Sequence, residues 1–350
     1  KPHGRREPDA TPDEISRHFV QKVQLVTEQM KREPPPNIIE RDPAAAILTA
    51  FREVTTDDVA AALKSAKPSP APGVDGLPMK ILQQCGATLH PHLARLANAV
   101  IKVGWPPQWK DAEIAAIWKR KGNASDKTKY RPVAILAAVS RLIEGTLLGQ
   151  LQDHLFSTTT VPREQHGYRP FHSCETALAH MIDIASSARS RGETTLVACF
   201  DAQGAFDGLD HQILLKKLDK LAGVRGDALR LIESFLSGRR QRVRQSGGRL
   251  SDWAPTPCGT PQGAGWSPTL WDVAIADLPA HIKGETVCLA DDITIVISDR
   301  DPKEAQRRVN EAMADLSHYL KTNHILPSPD KTQMLLIPRQ LTPSEEESHI

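Results

Sequence analysis

The chain has 350 residues, 40% hydrophobic and 25% charged, a size and balance that build more than one buried core. Lys and Arg number 44 against 42 Asp and Glu, so a formal net charge of +2 excludes nucleic-acid binding driven by bulk charge and leaves only local patches to carry it. Aromatic residues, at 5%, argue against an oligonucleotide platform made mainly of stacking rings.

The start, Lys1-Pro2-His3-Gly4-Arg5-Arg6, has neither Met nor an apolar signal core and reads as part of a longer chain. Thr11 then caps a helix, with Pro12 at its first position and Glu14 completing a capping box. Ile15, Phe19, Val23, Val26 and Met30 give it one apolar face, and Glu33-Pro34-Pro35-Pro36-Asn37 stops it. A second helix is expected over 55–66. Prolines and glycines make 67–76 a rigid loop. Helical spacing resumes over 79–84, 93–103 and 139–155. A basic hairpin is expected from Ile117-Trp118 through a turn at Gly122-Asn123 to Tyr130-Arg131. A β-rich run over 194–200 ends at Asp201, and helices follow over 211–221 and 227–236. Residues 239–244 alternate like a solvent-facing strand. Apolar strands are expected over 286–290 and 293–297, with Asp291-Asp292 between them. Asp301-Pro302-Lys303-Glu304 opens a last amphipathic helix, and 331–337 is a final strand. No internal repeat and no apolar run of the ~18–20 residues of a membrane span occur. The five cysteines (Cys85, Cys174, Cys199, Cys258, Cys288) are scattered without a C-x-x-C, which fits free thiols in a reducing compartment.

The chemistry rests on three carboxylates at strand ends. Should the strands before Asp201 and around Asp291-Asp292 be sheet neighbours, Asp201 and Asp291 meet at the sheet rim. Carboxylates held that close repel, and a divalent cation relieves the repulsion. Oxygen-only ligands select a hard ion such as Mg2+. Taken alone, an Asp-Asp pair between strands is most often an ordinary turn, which Asp tolerates well. His166, His172 and Cys174 lack the paired spacing of a zinc site. There is no P-loop, dinucleotide fingerprint or Ser-His-Asp arrangement.

Several segments match a known pattern in order and spacing. Phe200-Asp201-Ala202-Gln203-Gly204-Ala205-Phe206-Asp207, with Leu209-Asp210-His211, resembles motif A of the reverse transcriptases of non-LTR (LINE-like, jockey-type) retrotransposons. Gly259-Thr260-Pro261-Gln262-Gly263 with Ser267-Pro268 resembles their motif B, and Leu289-Ala290-Asp291-Asp292 their motif C. The resemblance extends to Ala71-Pro72-Gly73-Val74-Asp75-Gly76, Tyr130-Arg131-Pro132-Val133, Gln165-His166-Gly167-Tyr168-Arg169 and Asp330-Lys331-Thr332, spanning roughly residues 55 to 337. The sequence departs from the pattern at Leu289, where a Tyr or Phe is usual, at Ser328, where an Asn is usual, and at Ala264-Gly265-Trp266 after motif B.

The resemblance implies an α+β polymerase right hand, its palm a small antiparallel sheet backed by helices and its thumb absent or truncated. Residues 1–40 would be a helical arm and Pro-rich linker, 41–190 the fingers with the start of the palm, 191–337 the palm with the catalytic motifs, and 338–350 a polar tail. It implies RNA-directed DNA synthesis, with dNTPs added to a primer 3′-hydroxyl by two Mg2+ ions, Mn2+ being a substitute. By the same resemblance Asp201, Asp291 and Asp292 are the catalytic, metal-binding aspartates. Lys119, Lys121, Arg131, Phe206, Gln262 and Lys331 are the nucleotide-binding set. Arg131 would grip phosphate through its planar fork, and Phe206 would exclude a 2′-hydroxyl. A core role for Phe206, a solvated charge run at Lys119–Lys121 and a sheet-edge role for Lys331 stay open. Arg239, Arg240, Arg242 and Arg244 form a candidate row of phosphate contacts, or a charged edge strand that resists aggregation. The expected partners are RNA template, DNA primer and dNTP, with no membrane, an endonuclease domain fused in the full protein, and action in the nucleus. The alternatives are a group II intron or retron-type enzyme, an inactive RNA-binding remnant of the same fold and, more distantly, a palm-type nucleotide cyclase.

Overall fold

The computed structural model describes residues 7–30, 33–68, 72–328 and 331–339. Its first elements are helices α1 (Pro12–Met30), α2 (Thr56–Ser65), α3 (Met79–Gln84) and α4 (His90–Val103), strands β1 (Asp111–Trp118) and β2 (Tyr130–Ile135), and helix α5 (Ala138–Ser157). Helix α6 (Cys174–Ser190), strand β3 (Thr194–Gln203), helices α7 (His211–Lys220) and α8 (Gly226–Leu236) and strands β4 (Arg239–Val243) and β5 (Ala254–Thr256) follow. The last are α9 (Trp266–Ala274), α10 (Leu278–His281), β6 (Glu285–Leu289), β7 (Asp292–Asp299), α11 (Pro302–Thr322), β8 (Leu326–Pro327) and β9 (Gln333–Ile337). The architecture is α+β. Among the described residues no helix is long and apolar enough to cross a membrane.

Local chemistry explains most helix starts. Glu14 accepts from the Thr11 backbone N–H at 2.7 Å, and the Thr11 hydroxyl accepts from the Glu14 N–H at 3.3 Å, the expected capping box. Thr55 and Asp58 do the same at α2. Helix α5 has no capping side chain of its own at its N-cap. Asp75 supplies one from the Pro-Gly loop, accepting from the Ala138 N–H at 2.9 Å. Gly73 in that loop lies so close to the Leu136 carbonyl that a Cβ would sit 2.3 Å from its oxygen.

The chain divides into two compact units, each assembled from separated stretches. The first lies within Lys1–Gln29, Glu40–Thr158 and Phe206–Leu270, and the second within Met30–Ile39, Thr159–Ala205 and Trp271–Ile350. The stretches change over at 29/30, 39/40, 158/159, 205/206 and 270/271.

The first unit carries a four-stranded sheet in the order β2-β1-β4-β5. β1 pairs antiparallel with β2, with Ile117 opposite Arg131 and Trp118 opposite Tyr130, so the expected hairpin forms. β4 lies parallel to β1. The unit's aromatic core joins Phe51, Trp105, Phe235 and Trp266. The Trp266 ring lies 5.0 Å from Phe235, 5.4 Å from Trp105 and 6.0 Å from Phe51. Stacked and tilted rings at this spacing add to the burial energy.

The second unit is built on an antiparallel sheet in the order β6-β7-β3-β8, with β9 also pairing β3. Helices α6 and α11 pack against it. β7 lies between β6 and β3, and Ile293, Thr294, Ile295, Val296 and Ile297 are all buried, as an interior strand requires. Helix α11 contributes Ala305, Val309, Ala312, Leu316 and Leu320 at helical spacing.

Candidate active site

In the second unit β3 and β7 run antiparallel, and their register places Asp201 directly opposite Asp292. Directly opposed ladder residues have Cα atoms about 5 Å apart. β6 and β7 form a hairpin in which Leu289 pairs with Asp292, leaving Ala290 and Asp291 as its two turn residues. The three aspartates therefore stand on one rim. The Asp292 carboxyl is pushed above the usual carboxylate range, first by partial loss of water, then by the charges of Asp291 and Asp201. Lys331 opposes that shift. Its Nζ donates to Asp201 Oδ2 at 2.5 Å, which sets it at the carboxylates as well as at the end of the sheet. Asp330, from the same sequence match, lies outside the described residues, as do Ala71 and the tail beyond residue 339.

The turn carrying Asp291 is held from two sides. Ala290 has φ +57, a left-handed conformation that an L-residue with a Cβ enters at a cost of about 1–2 kcal/mol. Trp271 Nε1 donates to the Ala290 carbonyl at 2.9 Å. The segment 164–167 lies along β6, with Cys288 N–H donating to Glu164 O at 2.8 Å and His166 N–H to Cys288 O at 2.7 Å. Gly167 then meets the turn so closely that a Cβ there would lie 2.2 Å from Ala290 N. Next to it the Tyr168 phenol is pushed above its ordinary range by burial and by the charges of Asp291 and Asp272. His166 bonds Thr176 Oγ1 at 2.9 Å and His180 Nδ1 at 3.3 Å. Desolvation, then His172 and His180, holds it below the usual histidine range.

The metal question turns on the donor set. Among the described residues no group of three His, Cys, Asp or Glu is placed to enclose a metal ion. Mg2+ does not need one, because it takes one or two carboxylates and completes its shell with water and substrate oxygens. Two or three carboxylates repelling one another across a sheet rim fit that demand.

The other nucleotide-binding candidates lie in the first unit. Arg131 is exposed on β2, while Lys119 and Lys121 are exposed just past β1, where Arg120 (φ +57) and Gly122 (φ +76) bend the chain. Lys119 Nζ donates to Thr128 O at 3.3 Å. Phe206 and Gln262 share one pad. Thr260 N–H donates to Phe206 O at 2.7 Å, Gly259 N–H to Leu209 O at 2.8 Å, and Gln262 Nε2 to Asp207 Oδ1 at 2.6 Å. Gly259 (φ +80) is required there, since a Cβ would fall 2.3 Å from Asp207 O. The Ala134 N–H of β2 donates to Gln262 O at 2.7 Å, tying the pad to the strand of Arg131.

The reverse transcriptase (RNA-dependent DNA polymerase) family profile matches residues 118–348. The chain belongs to the reverse transcriptase family. It is 29% identical to a probable RNA-directed DNA polymerase from transposon BS of Drosophila melanogaster, over 81% of this chain and 32% of that protein. It is 30% identical to the RNA-directed DNA polymerase from mobile element jockey of the same species, over 65% of this chain and 25% of that protein. The expected kinship with non-LTR retrotransposon polymerases holds. The chain spans about a quarter to a third of the length of these curated relatives. Among solved structures, apo telomerase from Candida tropicalis truncated from its C-terminal domain aligns with a TM-score of 0.48 at 13% identity, covering 73% of this chain and 56% of that one. Reverse transcriptases act on template, primer and nucleotides and are generally divalent-metal dependent.

The arginine row of this reverse transcriptase domain is placed differently from expectation. Arg239 is only 4% exposed, lies over the Phe235 ring and donates to Phe235 O at 2.6 Å, so it is not solvent-facing. Burial lowers its guanidinium pKa to about 10. Arg240, Arg242 and Arg244 do share a face, but acids answer them. Arg240 forks onto Asp111 at 2.9 and 2.7 Å, and Arg242 and Arg244 each reach Glu113 at 2.6 Å. Trp253 stacks beneath Arg240 and Arg242. The parallel register of β4 on β1, Asp111 opposite Arg240 and Glu113 opposite Arg242, produces this neutralisation.

Sequence reasoning gives Asp75, Asp207 and Gly167 no role beyond membership of a motif, and it misses Trp271 altogether. A glycine next to an aromatic in an otherwise polar run is the one signal that could have marked Gly167 as a close-approach site.

Proposed function

We propose that this domain copies RNA into DNA for a non-LTR retrotransposon, joining dNTPs to the 3′-hydroxyl of a DNA primer whose end is made by an endonuclease domain of the full protein. The observation that carries the reading is the ladder pair Asp201–Asp292 with Asp291 in the adjoining turn and Lys331 on Asp201. Asp201 and Asp291 would hold Mg2+, with Asp292 beside them. Two such ions, when bound, stabilise the attacking and leaving oxygens of an in-line phosphoryl transfer. The protein's own contribution is placement. The turn braced by Trp271 and Gly167 holds the backbone from which Asp291 would reach the ion. Lys331 neutralises Asp201 while no other cation is there. Arg131 can grip phosphate oxygens through two parallel hydrogen bonds, and Lys119 and Lys121 add point charges. The edge of the Phe206 ring has no group to bond a 2′-hydroxyl and takes up its volume, favouring dNTP over NTP. Gln262 presents an amide to the nucleotide.

Single-nucleotide extension of a DNA primer on an RNA template, with Mg2+, compares the wild-type chain with Asp291→Ala. Extension by the wild type and its loss in the variant are expected. Equal incorporation by both removes the reading.

A further inference from the structure

The pad that joins Phe206–Leu209 to Cys258–Gln262 contains one bond between two side chains, from an amide nitrogen to a carboxyl oxygen. Gln262 Nε2 lies 2.6 Å from Asp207 Oδ1. A carboxylate only accepts, while a primary amide donates at one end and accepts at the other. Facing a carboxylate, the amide must turn its nitrogen inward and leave Oε1 outward. Asp207 itself has little freedom. Its carbonyl accepts from Cys258 Sγ at 3.7 Å, and Gly259 packs on it so closely that a Cβ would overlap it. The flanking backbone is pinned by the bonds from Thr260 to Phe206 and from Gly259 to Leu209. On the other side the Gln262 carbonyl is fixed to Ala134, and Gly263 is pressed against the Ala134 oxygen. Backbone and carboxylate thus leave Gln262 one orientation. Burial pushes the Asp207 carboxyl above the usual carboxylate range, and the Gln262 bond first, then Lys22 and Lys119, act against that shift in favour of the charged form.

We infer that Asp207 is a positioning residue that holds the Gln262 amide with Nε2 inward, so that Oε1 is the acceptor offered to a hydrogen-bond donor of the incoming nucleotide. The inference rests on the proposed function for the identity of the ligand, and on the structure alone for the orientation. It differs from a packing role in a checkable way, because its effect must pass through Gln262.

The full chain is assayed for dNTP KM and kcat by single-nucleotide extension, with 15N-detected side-chain amide signals as a second readout. Asp207→Ala is expected to raise dNTP KM about tenfold, the worth of one charge-assisted hydrogen bond, with kcat changed less than about threefold. Gln262→Glu sets two carboxylates face to face and should raise KM at least as much. The pair Asp207→Asn with Gln262→Glu restores the bond with donor and acceptor exchanged and should recover most of the loss. Recovery of this kind is not expected from residues that only fill space. An unchanged KM in Asp207→Ala, or an exchanged pair no better than Gln262→Glu alone, overturns the inference. If Asp207→Ala does not fold, the exchanged pair decides. A wild-type chain that extends nothing sinks the polymerase reading instead. The Gln262 amide signal then decides the orientation: a downfield proton that moves upfield without the Asp207 carboxylate supports it, and an unmoved signal refutes it.

Discussion

Replacing Gly167 by Ala adds one methyl group at the point where a segment of the second unit meets the catalytic turn. The new Cβ would lie 2.2 Å from Ala290 N and 2.8 Å from Ala290 Cα, both backbone atoms that cannot swing aside as a flexible side chain can. Gly167 is not in the left-handed region, so its backbone suits Ala and the whole effect comes from the contact. Ordinary van der Waals spacing requires the turn and the segment to part by roughly 1 Å. That opening strains the two backbone bonds between Cys288 and the 164–166 stretch and costs about 1–3 kcal/mol, as overpacking does. It also carries Asp291, the next residue, off its position. A misplacement of roughly 1 Å at a reacting centre lowers kcat about 100-fold. The assay is primer extension with saturating dNTP alongside a thermal melt of the same preparation. Gly149→Ala is the control. That glycine sits in α5, where an added methyl would meet nothing within 4 Å, and Ala there should stabilise by about 0.5–1 kcal/mol without touching kcat. A Gly167→Ala chain with wild-type kcat and melting temperature would refute the idea that this contact sets the turn.

Lys331→Met removes an ammonium that competes with any cation for Asp201 Oδ2. The exposed pair is worth about 1 kcal/mol, so the Mg2+ concentration for half-maximal extension should fall roughly fivefold, and a rise would show that Lys331 assists the ion rather than competing with it. Arg239→Met keeps the buried stem but loses the bond to Phe235 O. It should cost about 1–3 kcal/mol in a melt and leave duplex affinity in filter binding unchanged; the reverse pattern would restore Arg239 to a phosphate role. Glu144 is fully buried and accepts from Gly265 N–H at 2.7 Å, and burial lifts its pKa above the usual carboxylate range. A raised folded-state pKa means that its stabilising contribution is complete below the unfolded value of about 4.3 and is lost as pH rises through the folded value. The melting temperature of Glu144→Gln should therefore gain on the wild type between pH 5 and pH 8, and parallel pH profiles would contradict this.

Elements whose stability is local were legible in the sequence. The capping boxes at Thr11 and Thr55 and the Asp301 cap state their own helix starts, and the apolar runs before Asp201 and after Asp292 state two strands, whose pairing the structure supplies. Helix α6 was not legible, because its apolar spacing points the wrong way. Leu178 and Ile182 are each 54% exposed, and the buried face is made of Ala177, Ala185 and Ala188. Small residues let a helix approach a sheet closely but leave no amphipathic stripe in the sequence. The first six residues of β1 were hidden for a different reason. Asp111-Ala112-Glu113-Ile114-Ala115-Ala116 carries alanines and acids that local preference assigns to helices. It is a strand because β2 and β4 flank it and because Glu113, buried, receives Arg242 of β4 and Arg244 just past it, well over a hundred residues away.

The site divides along the same line. Three aspartates at strand ends announce a concentration of charge, but the sequence does not say which one occupies the turn. That depends on register: pairing Leu289 with Asp292 makes Asp291 a loop residue, whereas a shift by one would turn every side chain of β7 to the other face of the sheet. Local preference does not select this register, since it puts Ala rather than Gly or Asn in the left-handed region. The cost of about 1–2 kcal/mol is offset from outside the hairpin, by the Trp271 bond to the Ala290 carbonyl and by the β6 edge pairing that brings Gly167 against the turn. The geometry of Asp291 is thus a tertiary property, supplied by residues 19 and 123 positions before Ala290 in the chain. The same logic makes Gly167 and Trp271, neither of which carries a charge, the positions where small substitutions should damage catalysis while every carboxylate remains in place.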